Sequence, residues 1–135
     1  MKALLGAATL ALTTTGAAMA EDQIRISSEW GEVTAELLDN AAAKSLIAIL
    51  PITLQMRDHL RQEKTGTLPR PLPDLPRQQD FSVGTLGIWS GGNFVIYYKS
   101  GRVPMPGIIQ IGSVTGEVSI FDRPGPLTVR IEQMK

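Results

Sequence analysis

Few residues in this sequence have the types and spacing that catalysis needs. The one histidine, His59, excludes metal sites built on a histidine pair and gives little support to a Ser-His-Asp triad. Ser90 stands between Trp89 and two glycines, which is not the Gly-x-Ser-x-Gly pattern of a nucleophile on a strand-to-helix turn. Asp58 and Glu63 belong to a predicted loop, where acids are usually solvated. The sequence therefore predicts no catalytic residue and no metal site.

The composition excludes several further kinds of site. The chain has no cysteine, which rules out thiol catalysis and cysteine-ligated zinc or iron–sulfur centres. The stretches SGGNF and GSVTG have the glycines of turns and open no predicted helix, so they do not predict a phosphate loop. Tyr97-Tyr98-Lys99 has residue types that stack on bases, but the chain has equal numbers of acidic and basic residues and no basic run. We therefore expect no cofactor and no nucleic-acid partner.

The N-terminus has the pattern of a secretory signal peptide. Lys2 precedes the short apolar run from Ala3 to Leu12, and Ala18-Met19-Ala20 places small residues where signal peptidase cleaves. The apolar run is shorter than the ~20 residues that a membrane-spanning helix needs. We expect cleavage after Ala20, so that residues 1–20 are the signal peptide and residues 21–135 form one domain. The protein is then expected to be exported, periplasmic or secreted, without membrane contact after cleavage.

Alternating apolar and polar residues predict strands along most of the remaining chain. The apolar positions with this period are Ile24 and Ile26; Val33, Ala35 and Leu37; Ile52, Leu54 and Met56; and Leu127, Val129 and Ile131. The stretch GTLGIWSGGNFVIYYKSG predicts a hairpin whose unbroken apolar character indicates burial on both faces. GIIQIGSVTGEVSIF predicts another strand and then a single helical turn near residues 116–121.

One segment changes to the helical period. In DNAAAKSLIAILP, Asp39 or Asn40 is a suitable N-cap and Pro51 ends the helix. The apolar stripe of this helix comprises Ala43, Leu46, Ile47 and Leu50. The order strand, strand, helix and then mainly strands predicts a mainly β fold. We expect a small closed or nearly closed β-barrel with one or two short helices.

The segment LPRPLPDLPRQQD lies in a region, residues 60–80, that predicts a long connection. Its Arg-x-Leu-Pro-x-x-Pro match begins at Arg70 and is the pattern of polyproline ligands, so a docking peptide, a linker and an ordered loop all have to be considered. Domains that bind such ligands are mostly cytosolic, whereas this chain has an export signal. The flanking strands also belong to one predicted barrel. We therefore expect an ordered loop whose prolines reduce the entropy lost on ordering.

Several sequence words, in this order, resemble the small bacterial cyclophilin-like family. These words are VTAELLDNAAAKSLIAILP, EKTGTLPR, GNFVIYYK and GSVTGEV, and the resemblance covers nearly all of residues 23–133. It implies the cyclophilin barrel. The larger cyclophilins are prolyl isomerases whose site uses an Arg in a Phe-His-Arg word, a Gln-Gly-Gly-Asp-Phe word and an aromatic pair. The corresponding stretch here, PITLQMRDHLRQEK, contains neither word, so the resemblance implies the cleft without its usual catalytic residues.

The resemblance and the strand alternation together predict a cleft. Val95 and Tyr97 are expected on the cleft face of their strand, while Phe94, Ile96 and Tyr98 fill the barrel. The predicted binding residues are Arg57, Arg70, Trp89, Ser90, Val95 and Tyr97. No catalytic residue is predicted among them.

Three functional hypotheses remain open from the sequence. The favoured one is an exported domain that binds an unknown small molecule or short peptide without catalysis. The second is a weak peptidyl-prolyl cis-trans isomerase in which Arg57 or Arg70 donates to the prolyl nitrogen. The third is a structural module that self-associates through an edge strand. The sequence indicates neither the ligand nor the oligomeric state.

Overall fold

The computed structural model describes residues 22–90 and 92–134; the predicted signal peptide, residues 1–20, lies outside the described residues. The strands are β1 (Gln23–Ser28), β2 (Gly31–Leu37), β3 (Ile52–His59), β4 (Glu63–Thr67), β5 (Asp80–Phe81), β6 (Thr85–Trp89), β7 (Asn93–Tyr97), β8 (Gly101–Arg102), β9 (Ile109–Val114) and β10 (Leu127–Gln133). An α-helix, α1 (Ala41–Ala48), and a 3-10 helix (Val118–Phe121) complete the described elements. No helix among these residues is long and apolar enough to cross a membrane.

Eight strands close into an antiparallel barrel in the order β1-β10-β3-β4-β7-β6-β9-β2. This confirms the predicted mainly β fold and closed barrel. Closure leaves none of these eight strands with a free edge, which is how barrels avoid edge-to-edge association. An edge-strand association of the described residues would therefore have to use the separate two-stranded ribbon, β5–β8.

The barrel interior is filled by the apolar residues that alternate along the strands. Ile24 of β1 pairs with the buried Ala35 of β2, and Ile26 pairs with the buried Val33 of β2 and Ile131 of β10. Phe94, Ile96 and Tyr98 belong to this inner core, as the alternation predicts. Each barrel strand therefore has one face in the core, which explains why a period of two identifies most strands.

Helix α1 closes the barrel against β9. The side chain of Asn40 accepts a hydrogen bond from the Ala43 amide at 2.9 Å and donates to the Gln110 carbonyl at 3.2 Å. One residue therefore caps the helix and joins it to the barrel. The buried residues of the helix are Ala42, Ala43 and Leu46.

Strand β4 lies where the sequence predicted the first part of a long connection. Its residues, EKTGT, have no apolar alternation, yet four of the five are buried. Gly66 of this strand passes so close to β3 that a Cβ atom there would lie 2.6 Å from the Gln55 carbonyl oxygen. The prediction was wrong here because β4 is buried through polar contacts and a close backbone approach, which a hydrophobic pattern does not detect.

The proline-rich segment is an ordered loop that packs on the barrel. Leu68 is buried, and its amide donates to the Gly92 carbonyl at 3.0 Å in the β6–β7 turn. Leu72 and Leu75 pack against the core cluster. Because Leu72 of the polyproline match is half-buried against the barrel, the segment is not presented as a free docking peptide.

Candidate functional site

Two adjoining surface cavities lie on the outer side of β3, β4 and β7. The larger one, called here the His59 cavity, has a volume of about 390 Å³. Its lining comprises His59, Leu60, Gln62, Trp89, Ser90, Asn93 and residues 102–107. The smaller one, the Arg57 cavity, has a volume of about 310 Å³ and is lined by Gln55, Met56, Arg57, Thr65, Gly66, Thr67, Asn93 and Pro126. Asn93 lines both cavities, which together are called the recess below.

The tight turn between β3 and β4 holds an apolar side chain at the rim of the His59 cavity. Leu60 and Arg61 have φ angles of 56° and 51°, and the Gln62 amide donates to the His59 carbonyl at 3.1 Å. This is the backbone of a type I′ turn, which usually has Asn and Gly at these positions. The left-handed conformation costs roughly 1 kcal/mol for each such residue. The side chain held there, Leu60, is 73% exposed.

The opposite rim of the His59 cavity is the segment between β8 and β9. Met105 on this segment is 75% exposed, and Val103 beneath it is buried. Gly107 has a φ of 89°, and a Cβ atom there would lie 2.3 Å from the Gln78 carbonyl oxygen. The glycine therefore allows this wall to pack directly on the backbone of the preceding loop.

A row of buried polar groups lies on the outer face of β3 and β4. Glu63 is 0% exposed; its Oε1 accepts from the side-chain Nε2 of Gln62 at 2.8 Å, whereas its Oε2 has no hydrogen-bond partner among the described residues. The nearest cation-forming group is the His59 Nδ1 atom, 3.5 Å from that Oε2 and also without a hydrogen bond. Thr65 Oγ1, farther along β4, is the third such atom. Burial raises the pKa of Glu63 to about 7.

His59 connects this buried row to the cavity. The histidine is opposite Glu63 in the β3–β4 register and also lines the cavity wall. Its ring stands edge-on to Trp89, with the ring centroids 5.0 Å apart. A carboxylate beside one ring nitrogen fixes the orientation of an imidazole. The arrangement can therefore offer a hydrogen bond to a molecule in the cavity.

The outer face of β7 is covered rather than open. Val95 and Tyr97 are both 0% exposed, beneath Phe81 of the β5–β8 ribbon. The Phe81 and Tyr97 rings are stacked with their centroids 3.8 Å apart, and the Trp89 indole N–H donates to the Tyr97 hydroxyl at 3.3 Å. Burial, and then the nearby Glu63, raise the pKa of Tyr97. The ribbon thus covers the face of β7 that was expected to border an open cleft.

The six residues predicted to bind a ligand lie in four different environments. Trp89 and Ser90 line the His59 cavity, and Arg57 lines the Arg57 cavity. Val95 and Tyr97 face the same side of the barrel, as alternation indicates, but lie under the ribbon. Arg70 is exposed on the proline-rich loop and lines neither cavity.

Sequence reasoning did not find most of the His59 cavity. His59 and Glu63 were noticed only as an isolated histidine and a scattered acid, because nothing in the sequence shows that β4 exists. Arg102 lies on a strand of two residues, and Met105 on the segment after it. A retrospective signal is the word PMPG at residues 104–107, which is typical of a tight, ordered turn.

A second buried charge, Lys64, has a structural role. Its ammonium group is 0% exposed and donates to Asp58 Oδ1 at 2.9 Å, to the Gly125 carbonyl at 3.1 Å and to the Arg123 carbonyl. All three donors of the ammonium are therefore used. Although burial alone would raise the pKa of Asp58, hydrogen bonds from Tyr98 and Lys64 lower it. This network fastens the segment before β10 to β4 and offers no free group to a ligand.

Among residues 22–90 and 92–134, no group of three or more His, Asp or Glu side chains is arranged to hold a metal ion. The recess instead combines an aromatic wall, exposed apolar rims and a few polar groups. That combination is typical of sites for organic ligands.

By its fold and its recess, this protein belongs to the class of small closed β-barrels that have a ligand-sized recess on the outer side of the sheet. The model of the Cyclophilin-like family matches residues 26–132. The chain therefore belongs to the Cyclophilin-like family, which confirms the resemblance found in its sequence.

Comparison with solved structures agrees with this assignment. A hypothetical protein from Archaeoglobus fulgidus matches with a TM-score of 0.67 and 17% identity, over 85% of this chain and 96% of that one. A cyclophilin-type peptidyl-prolyl cis-trans isomerase from Cryptosporidium parvum matches with a TM-score of 0.58 and 14% identity, over 85% of this chain and 98% of that one. These identities show the shared fold alone. A search of curated proteins found no significant match.

Proposed function

We propose that this protein binds a small organic molecule or a short peptide in the His59 cavity. The observation that carries the proposal is the lining of the cavity: Trp89 forms one wall, and the exposed side chains of Leu60 and Met105 flank the opening. A ligand that contacts both side chains would bury their apolar surface and be stabilised by it. The left-handed backbone that holds Leu60 there adds a conformational cost that a purely structural turn does not need.

A ligand-induced stability shift tests this proposal. A ligand of the native state raises the melting temperature in proportion to its occupancy, so a panel of small organic acids, amides and short peptides should contain compounds that do so. Binding should also shift the NMR signal of the Trp89 indole N–H, which lies in the cavity wall.

A matched pair of variants localises the effect. Met105→Gln replaces the apolar rim side chain with an uncharged polar one and should weaken binding by roughly tenfold, about 1.4 kcal/mol. Val83→Gln makes a matching apolar-to-polar change at another exposed residue, before the opposite end of β6, and should leave binding unchanged. Equal affinities in the two variants, or a panel without any shift at Trp89, would refute binding in this cavity.

Weak prolyl isomerase activity is the second candidate. Arg57 supports it because its side chain is exposed on the same face of the sheet as Val95. Arg57 of β3 pairs with Thr65 of β4, which in turn pairs with Val95 of β7. Against it, Val95 is buried, and the Arg57 cavity has no aromatic residue in its lining. Arg102, in contrast to Arg57, lines a cavity that also has an apolar wall, the His59 cavity.

A protease-coupled assay on a proline-containing peptide separates isomerase activity from binding alone. We expect no turnover above the uncatalysed rate. Turnover lost in Arg57→Ala, Arg70→Ala or Arg102→Ala but retained in Arg130→Ala would establish the isomerase and identify its cation. Arg130 serves as the control because it lies on β10 and lines neither cavity.

We also propose that the protein is exported after cleavage behind Ala20. The support is the charge, apolar run and small residues of positions 1–20. N-terminal sequencing of protein recovered from the extracytoplasmic fraction should read from Glu21. Recovery of the intact N-terminus from the cytoplasm would overturn this proposal.

A further inference from the structure

The polar groups of the His59 cavity indicate which ligands it can hold. None of the residues that line it is acidic, and Arg102 supplies a guanidinium. Two of the donors of Arg102 already contact Asp80 and Gln79, both at 2.8 Å. The Asp80 side chain is 78% exposed, so water screens this ion pair strongly. A guanidinium has five donors, so these two contacts leave others unused.

The second polar feature is the pair formed by His59 and the buried Glu63. Glu63 Oε2 and His59 Nδ1 are 3.5 Å apart, and neither atom has a hydrogen-bond partner in the part of the chain that the structure describes. A fully buried carboxylate oxygen without a partner is costly unless a proton or a ligand compensates it. Because His59 also lines the cavity, a bound molecule can influence the proton held by this pair.

We propose that the ligand of the His59 cavity is an apolar molecule with a carboxylate, which binds to Arg102 and to the His59–Glu63 pair. The apolar part contacts Trp89 and the rim side chains of Leu60 and Met105. A free organic acid and the C-terminus of a peptide both have this chemistry. The inference rests on the binding function proposed above and specifies its ligand class.

The proton of the pair makes this binding depend on pH. Burial raises the pKa of Glu63 to about 7; hydrogen bonding from Gln62 and the charge of Arg57 act in the opposite direction, while the charge of Asp58 acts in the same direction as burial. Tyr97, opposite Glu63 on β7, stays neutral because its own pKa is raised.

Below about pH 7 Glu63 therefore carries a proton that it loses above this pH. Loss of this proton places a negative charge beside the cavity, which opposes a carboxylate. We expect the affinity for a carboxylate to fall roughly tenfold between about pH 6 and about pH 8.

Two pairs of probes test the ligand class and its source. Phenylacetate is compared with phenylacetamide, and N-acetyl-Leu-Phe with a free C-terminus is compared with its C-terminal amide. Dissociation constants are measured from the Trp89 indole signal at both pH values. We expect at least one carboxylate to bind and its amide to bind about tenfold more weakly at the lower pH. Binding of phenylacetate alone indicates a free acid, whereas binding of the peptide alone indicates a C-terminus.

Three substitutions assign the effect to the proposed groups. Glu63→Gln cannot ionise, so the pH dependence of carboxylate affinity should disappear. Arg102→Gln should weaken carboxylate binding about tenfold at both pH values. His59→Gln should weaken it at the lower pH. Arg130→Gln, opposite Thr53 at the other end of β3 from His59 and in the lining of neither cavity, should change nothing.

The outcomes separate this inference from the binding function on which it rests. If amides bind as tightly as carboxylates, or if Glu63→Gln keeps the pH dependence, the carboxylate assignment is wrong while binding in the cavity stands. If no carboxylate shifts the Trp89 signal but another class in the wider panel does, the assignment is again wrong. If nothing in that panel shifts the signal, both proposals fail.

Discussion

The substitution Glu63→Gln should make the protein more stable at alkaline pH. Glu63 is fully buried on β4, and burial raises the pKa of its carboxyl group from the ordinary value of 4.5 to about 7. Glutamine has nearly the same shape and cannot ionise, and its carbonyl oxygen can still accept the hydrogen bond from Gln62. The change therefore removes one buried charge and little else.

The magnitude follows from the difference between the folded and unfolded pKa values. The folded state holds the Glu63 proton more tightly, so the favourable contribution is complete below about pH 4.5 and is lost as the pH rises through about 7. The difference of about 2.5 between the two values corresponds to about 3 kcal/mol at 1.36 kcal/mol for each pKa unit. Wild type should lose up to about 3 kcal/mol between those limits relative to the variant, which does not titrate at this position.

Urea unfolding at several pH values between about 5 and 9 measures this difference. The quantity of interest is the free energy of unfolding of the variant minus that of wild type, because all other titrating groups then cancel. It should be smallest at acidic pH and rise by about 3 kcal/mol toward pH 9. Glu36→Gln, at an exposed position of β2, serves as the control and should give a small, nearly constant difference.

A pH-independent difference between Glu63→Gln and wild type would refute the reasoning. It would mean that Glu63 titrates alike in the folded and unfolded states, through compensation by His59 or by bound water. The pH-dependent carboxylate binding inferred above would lose its support at the same time.

Three further substitutions test other parts of the structure. Lys64→Met leaves Asp58 and two carbonyl groups without their buried donor and should cost about 3–5 kcal/mol in urea unfolding, whereas Lys99→Met, at a 51% exposed position, should cost less than about 1 kcal/mol. Asn40→Ala removes the N-cap of α1 and should cost about 1 kcal/mol in the same assay. Gly107→Ala forces a Cβ atom into backbone and should lower the melting temperature, together with ligand binding in the His59 cavity.

Each of these substitutions also has an outcome that contradicts its explanation. Equal costs for Lys64→Met and Lys99→Met would mean that desolvation of the buried ammonium offsets its hydrogen bonds. An unchanged melting temperature for Asn40→Ala would show that the Ala43 amide finds water instead. Full stability and binding in Gly107→Ala would show that the wall between β8 and β9 is free to move.

The sequence was sufficient to predict the barrel and its helix. Each predicted strand has one face in the core, so residues such as Ile24, Val33 and Val129 repeat with a period of two. Asp39 or Asn40 before an apolar helical stripe likewise indicated where α1 begins, and the structure shows that Asn40 is the cap. These signals are local, because the side chains that produce them are close together in the chain.

Strand β4 is an element that these local sequence signals did not predict. Its outer and inner faces are buried by groups from β3, β7 and the segment before β10, so polar residues such as Glu63 and Lys64 occupy core positions. A polar sequence is ordinarily read as exposed, and the partners that reverse this reading are distant in the chain. The error in β4 also concealed the pairing of Glu63 with His59.

The recess, like the fold, was predicted from the sequence only in part. Alternation placed Val95 and Tyr97 on the outer face, and the Trp89-Ser90 strand end was expected at a cleft and does line the His59 cavity. That Phe81 covers the outer face, and that Arg102 reaches the cavity, was decided by the pairing of β5 with β8. The sequence by itself thus determined which side chains face outward. Only the tertiary structure decided which of them are covered, because two-residue strands carry no periodic signal and depend on contacts made after the barrel closes.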